Sequence, residues 1–226
     1  MTADRKRATA IIAIVVFCCA VMAVVDGIIQ PHYAVKSAVK VALFLILPFG
    51  YSFINKELSL KSLFMANKKG IGIALLLCIP VYIVILGGYL LLKDVFDFSA
   101  VTSSLTGNIG VSKENFPIVA LYISFVNSLL EEFFFRGFAF LTLRKAVSEK
   151  TAYIFSSAVF ALYHIAIMTG WFSAGVFAIT LSGLFIGGLI FNLLNSKSGN
   201  IYTSWFVHMF ANFAINTIGF MLFGII

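Results

Sequence analysis

IGIALLLCIPVYIVILGGYLLL, Ile71–Leu92, runs for 22 residues without one charged side chain. Wound as an α-helix at ~1.5 Å per residue it is about 33 Å long, a match for a hydrocarbon core about 30 Å thick. It is too long and too evenly apolar for an outer-membrane strand, which alternates in character over about ten residues. In lipid every backbone group must find its partner internally, so a helix is what remains. Six further segments read the same way: Ala8–Ile29, Val35–Ile54, Phe116–Thr142, Ala152–Thr169, Phe172–Asn195 and Ile201–Phe223. The composition agrees, because 61% of the 226 residues are hydrophobic and only 11% are charged. Such a chain cannot cover a water-facing surface. That excludes a soluble enzyme, a disordered chain and a disulfide-stapled secreted domain. The fold class expected is all-α, a polytopic bundle of about seven transmembrane helices.

The net charge of +7 needs a location before it has a meaning. Eleven of the sixteen Lys and Arg residues fall on the N-terminal side of the membrane: Arg5–Arg7, Lys56, Lys61, Lys68, Lys69, Arg144, Lys145, Lys150 and Lys197. Lys36, Lys40, Lys93 and Lys113 count to the other side, and Arg136 lies within a span. The bias predicts a cytoplasmic N-terminus, with the first span an uncleaved signal-anchor. The basic excess is thus a topology signal, and no nucleic-acid partner is expected. Cys18, Cys19 and Cys78 sit in apolar runs without metal-ligand spacing and read as small hydrophobes. Lys93–Asn115 is expected to be a connector, and Gly183-x-x-x-Gly187 with Gly188 a helix-packing surface. The chain divides into N-terminal spans with their outer loop, residues 1–115, and a C-terminal helical core, residues 116–226.

Chemistry is carried by polar residues where lipid forbids them. Ser128-Leu-Leu-Glu131-Glu132-Phe-Phe-Phe-Arg136-Gly137 puts three charges into one span, at about 2.5–3.5 kcal/mol each at the bilayer centre if unpaired. Glu132 and Arg136, four apart, share a helix face and can pair. Glu131, turned ~100° from its neighbour, does not share that face. The fifth span holds Phe160-Ala-Leu-Tyr-His164, and the seventh His208-Met-Phe-Ala-Asn212, whose His and Asn stand one turn apart. Counted along each span, Glu131, His164 and Asn212 lie about 17–18 Å deep and His208 about 11 Å. Within side-chain reach, all four meet in one layer. His32, in a short outer loop, receives no role. Ser128 is discounted as a nucleophile because a serine in a span bonds back to its own helix.

A carboxylate with imidazoles can deprotonate a water, free or metal-bound, and aim it at a carbonyl. An Asn amide and a His N–H can donate to the oxyanion that forms. Both routes lead to amide hydrolysis in or beside the membrane.

Glu131-Glu132-x-x-x-Arg136, Phe160-x-x-x-His164 and His208-x-x-x-Asn212, in that order on separate spans, resemble the signature of the CPBP intramembrane proteases. That family includes the CAAX prenyl endopeptidases and the bacteriocin-immunity (Abi) proteins. The resemblance covers about Val126–Asn216 and implies a hydrolase, an endopeptidase of a multi-pass membrane. It assigns water activation to Glu131 with His164, oxyanion binding to His208 and Asn212, and a supporting role to Glu132 through Arg136, with Phe160 as structural support. The family is called metalloprotease. If a metal is present, zinc would be held by Glu131, His164 and His208 with a water at the open position. The chain is short, without a long insertion, and looks bacterial. A hydrophobic peptide or a membrane-protein segment is the substrate implied, with bacteriocin immunity or peptide processing as roles by analogy. Two other readings stay open. One is a proton- or cation-coupled transporter, since Glu and His at mid-membrane also relay protons, although no paired repeat is visible. The other is a non-catalytic immunity scaffold.

Overall fold

The computed structural model describes residues 3–55 and 58–226; Lys56, counted above in the charge bias, lies outside them. Among the described residues there is no strand, and seven helices are long and apolar enough to cross a membrane. We label them in chain order with one short outer helix: α1 Ala3–Ile29, α2 Tyr33–Ile54, α3 Lys68–Leu92, α4 Ser99–Ile109, α5 Phe116–Lys145, α6 Glu149–Met168, α7 Ala174–Ser198 and α8 Tyr202–Leu222. The chain is an all-α, multi-pass membrane protein.

Every span but α5 shows a narrow buried stripe and a broad apolar face outside. In α1 the buried positions are Ala8, Ile11, Val15, Cys18, Met22 and Val25, a three-to-four-residue repeat, with Asp26 beside the last. On the outside of α3, Leu76, Val84 and Leu91 are more than 70% exposed. A lipid solvent as apolar as leucine makes that exposure free of cost. The main core is built on α5, whose residues Leu130–Leu143 are all buried. Phe44 of α2 stacks on Phe134 with ring centroids 3.9 Å apart, and Phe49 on Phe133 at 5.1 Å. Phe160 of α6 meets Phe135 edge-on at 5.3 Å. This core also takes in α1 and so crosses residue 115. Its rings fix how α2 and α6 lie against α5.

α5 does not keep α-helical winding throughout. It is π-helical at Ile123–Asn127 and again at Glu132–Thr142, leaving one α-turn, Ser128–Glu131, between them. In π winding the backbone bonds run i→i+5, and such segments concentrate at functional sites. Side chains four apart then no longer stack directly over one another, which matters for Glu132 and Arg136 below.

The glycines of α7 divide unevenly. A Cβ at Gly188 would stand 3.1 Å from the Ser157 backbone, so this is where α7 touches α6. Gly183 and Gly187 face open space, so the close approach uses Gly188 and not the G-x-x-x-G pair, which lies on a different face of the helix. Asn192, one turn on, donates to Tyr153 O (3.2 Å) and Ser157 Oγ (3.1 Å), while its Oδ1 accepts from Ser156 Oγ (3.2 Å). Amides and hydroxyls thus pin the α6–α7 contact. The Lys93–Asn115 connector contains α4. The Asp97 carboxylate accepts the Ser99 N–H at 2.8 Å, and Gly110 ends the helix in the left-handed conformation.

Candidate active site

Four helices bring polar groups to one layer. From α5 come Glu131 and Glu132, and from α8 His208 with Ser204 and Asn212. α6 adds His164, and α2 adds Lys40. Glu132 is fully enclosed. Its Oε1 meets His208 Nδ1 at 2.9 Å, and its Oε2 accepts a short hydrogen bond from Ser204 Oγ. Asn195 of α7 holds Ser204 in turn: its amide donates to Ser204 Oγ at 2.6 Å and its Oδ1 accepts the Ser204 N–H at 3.2 Å. The His208 ring lies over Phe191, centroids 5.3 Å apart, with Phe160 edge-on at 6.1 Å. A carboxylate on one ring nitrogen fixes which nitrogen the imidazole presents elsewhere. Here that nitrogen is Nε2.

Nε2 faces the other glutamate, 3.8 Å from Glu131 Oε2. The two carboxylates, expected on separate faces, therefore meet at opposite edges of one imidazole. α8 runs between the directions in which they point, so a turn of ~100° brackets the ring. Glu131 Oε1 is engaged differently. Lys40 Nζ lies 2.5 Å from it, and the Asn127 amide donates to it at 3.0 Å. Lys40, counted with the outer loops on charge alone, is 5% exposed inside the bundle.

His164 is half-buried, its Nδ1 2.7 Å from Phe160 O and its ring edge-on to Phe160 and Tyr163. Asn212 reaches α5, where its amide donates to Ile123 O at 3.2 Å, in the first π-helical segment. Asn216 does the same one turn on, to Ala120 O (3.0 Å) and Ser124 Oγ (2.9 Å). Ser128 Oγ bonds back to Ser124 O, as expected of a serine in a span.

Arg136 departs from expectation. Its Nε is 3.6 Å from Glu132 Oε2, a charge contact without a hydrogen bond, because π winding carries the side chain past its i−4 partner. Its three nitrogens are buried and make no hydrogen bond among the described residues. The guanidinium lies instead over the Phe160 ring, 3.9 Å from its centroid, with Phe191 at 5.1 Å. Support for Glu132 comes from Ser204 and His208, with Arg136 supplying charge at a distance.

The zinc set does not fit this arrangement. Among the described residues no three His, Cys, Asp or Glu side chains are grouped to hold a metal. An ammonium already stands 2.5 Å from Glu131 Oε1, where it would repel a divalent ion on the same carboxylate.

Sequence reasoning misses Lys40, Asn127, Ser204 and Asn195. One signal for Ser204 is present, since Ser204, His208, Asn212 and Asn216 repeat every four residues on α8.

Fold and site together define a polytopic helical membrane protein with a buried carboxylate–imidazole cluster. The family model for type II CAAX prenyl endopeptidase Rce1-like proteins matches residues 113–214, a stretch that holds Glu131, Glu132, His164, His208 and Asn212. That match supports the CPBP/CAAX protease family for this segment. No curated protein and no solved structure matches the chain.

Proposed function

We propose that the protein is an intramembrane endopeptidase that hydrolyses a peptide bond of a hydrophobic peptide or membrane-associated protein. The site of action proposed is a bacterial cytoplasmic membrane, with bacteriocin self-immunity or peptide processing as the role. In this reading a water lies against Glu131 Oε2 within reach of His164. Glu131 takes its proton as the water oxygen bonds to the substrate carbonyl carbon. The Asn212 amide and His208, as the imidazolium that donates Nδ1–H to Glu132 and Nε2–H into the site, steady the resulting oxyanion. The proton then passes to the leaving nitrogen and the C–N bond breaks. Glu132 keeps His208 Nε2 turned to the site. The observation that carries the reading is the free Oε2 of Glu131, which faces His208 Nε2 across 3.8 Å deep in an apolar bundle. A purely structural ion pair would consume both oxygens.

The test incubates purified protein in proteoliposomes with hydrophobic peptides, prenylated and unprenylated, with and without a chelator. Products are read by mass. Glu131→Gln and His164→Ala are expected to abolish cleavage while the chain still inserts; Glu131→Gln also lowers thermal stability, because it leaves the buried Lys40 without its counter-charge, and His164→Ala does not. Undiminished cleavage by Glu131→Gln removes this mechanism.

A further inference from the structure

Lys40 belongs to α2, outside the matched stretch, yet it makes the closest polar contact Glu131 has. Resting on the endopeptidase reading, we propose that Lys40, with Asn127, is a positioning residue. It anchors Glu131 through Oε1 and so leaves Oε2 as the oxygen that meets the attacking water.

Three hydrogen bonds close a triangle. Lys40 Nζ donates to Glu131 Oε1 (2.5 Å) and to Asn127 Oδ1 (2.7 Å), and the Asn127 amide donates to the same Oε1 (3.0 Å). An ammonium has three N–H groups and no acceptor. The third is left to the aromatic wall, where Nζ lies 5.0 Å from the Tyr163 ring centroid and 5.5 Å from that of Phe44. No freedom remains at this end of the carboxylate. The other end is different, because the His208 Nε2 that faces Oε2 is beyond hydrogen-bond reach at 3.8 Å. A free glutamate exchanges its two oxygens by rotating its terminal torsion, which is broad and two-fold. Here rotation would break two charge-assisted or amide bonds to Oε1. The triangle therefore gives two equivalent oxygens unequal tasks.

α2 is also held in register for this purpose. One turn toward the outer end, Lys36 Nζ pairs with the buried Asp26 of α1 at 2.5 Å. Lys36 and Lys40, four apart on one face, each grip an acid on a different neighbour. Sliding α2 by a turn would cost both pairs together. Phe44, one turn further, stacks on Phe134 and fixes the same face to α5.

The experiment compares wild type, Lys40→Met, Lys40→Arg and Asn127→Ala in proteoliposomes, on a peptide that the wild type cleaves. Infrared spectra of the Glu131 carboxylate, isolated as the difference from Glu131→Gln, are recorded for each. Lys40→Met is expected to lower kcat by about 100-fold with KM changed less than about twofold, as for a misplaced reacting group. Lys40→Arg should recover at least about tenfold of that loss, since a guanidinium can still grip Oε1. Asn127→Ala, which keeps the charge, should lower kcat by about tenfold at unchanged KM. The carboxylate stretching bands should move in Lys40→Met and stay in Lys40→Arg. Wild-type kcat in folded Lys40→Met, or unmoved bands, overturns the proposal. If Lys40→Met does not fold, Asn127→Ala and Lys40→Arg decide, and wild-type behaviour of Asn127→Ala in both readouts overturns it. A wild type that cleaves no peptide refutes the hydrolase reading, and the infrared bands alone then decide the anchoring.

Discussion

Removing either end of the Glu132–Arg136 ion pair should have very different consequences, although the same attraction disappears in both cases. At 3.6 Å and an effective dielectric of about 20, that attraction is about 4.6 kcal/mol. Glu132→Gln withdraws it and leaves a fully buried guanidinium whose nitrogens have no hydrogen bond. The Phe160, Phe191 and Phe135 rings would then face that charge, and the cost should reach about 3–5 kcal/mol. Arg136→Met removes the attraction too, but with it the several kcal/mol of guanidinium desolvation. Glu132 would keep Ser204 and His208, and a thioether fits between the two rings, so a net loss of about 1–2 kcal/mol is expected. The double variant has no orphan charge and should be more stable than Glu132→Gln alone, a coupling of about 3 kcal/mol. Equilibrium unfolding in mixed detergent–SDS micelles, followed by circular dichroism, measures all three. Equal destabilisation by the two single variants, or additivity within about 0.5 kcal/mol, would refute the reasoning.

Two further outcomes are expected. Gly188→Val places a branched side chain where even a Cβ stands 3.1 Å from the Ser157 backbone; it should separate α6 from α7 and destabilise by about 1–3 kcal/mol, while Gly183→Val, facing open space, stays near wild type in the same assay. The Asp97 carboxyl is held below its ordinary value of 3.8 by the Ser99 N–H, so its cap on α4 is complete above that value and is lost as pH falls through the lowered one. The protection factor of the Ser99 amide in hydrogen exchange, its slowing relative to an unprotected amide at the same pH, should hold at neutral pH and fall only below about pH 4 in wild type; in Asp97→Ala it should be lost at every pH.

The spans were legible in the sequence because lipid imposes a single solution on a long apolar run. All seven helices of the bundle overlap the segments read from hydropathy, and differ from them by a few residues at the ends. Glu131, Glu132 and Arg136 of α5, His164 of α6 and His208 with Asn212 of α8 announced themselves by being polar where lipid makes polarity costly. Lys40 escaped for the opposite reason. It stands five residues inside an apolar run that begins at the short outer loop, and by charge count it belonged with that loop. Only the stacking of Phe44 on Phe134, a tertiary fact, says that this face of α2 is turned inward. The Arg136 geometry escaped because its expected form assumed α winding, and no proline or other break in the sequence marks the π segments of α5.

Two glutamates side by side would repel each other in an apolar interior unless each had its own counter-charge and its own direction. Here Glu132 looks toward α8 and is closed by Ser204, His208 and the distant Arg136. Glu131 looks toward α2 and is half closed by Lys40 and Asn127. One imidazole separates them, bonded to the first and only near the second. The asymmetry is what the proposed hydrolysis requires: one carboxylate spends its lone pairs on orienting the ring, and the other keeps an oxygen uncommitted. The costly charges of α5 are thus compensated at three of their four carboxylate oxygens, and the fourth is the place where chemistry can occur.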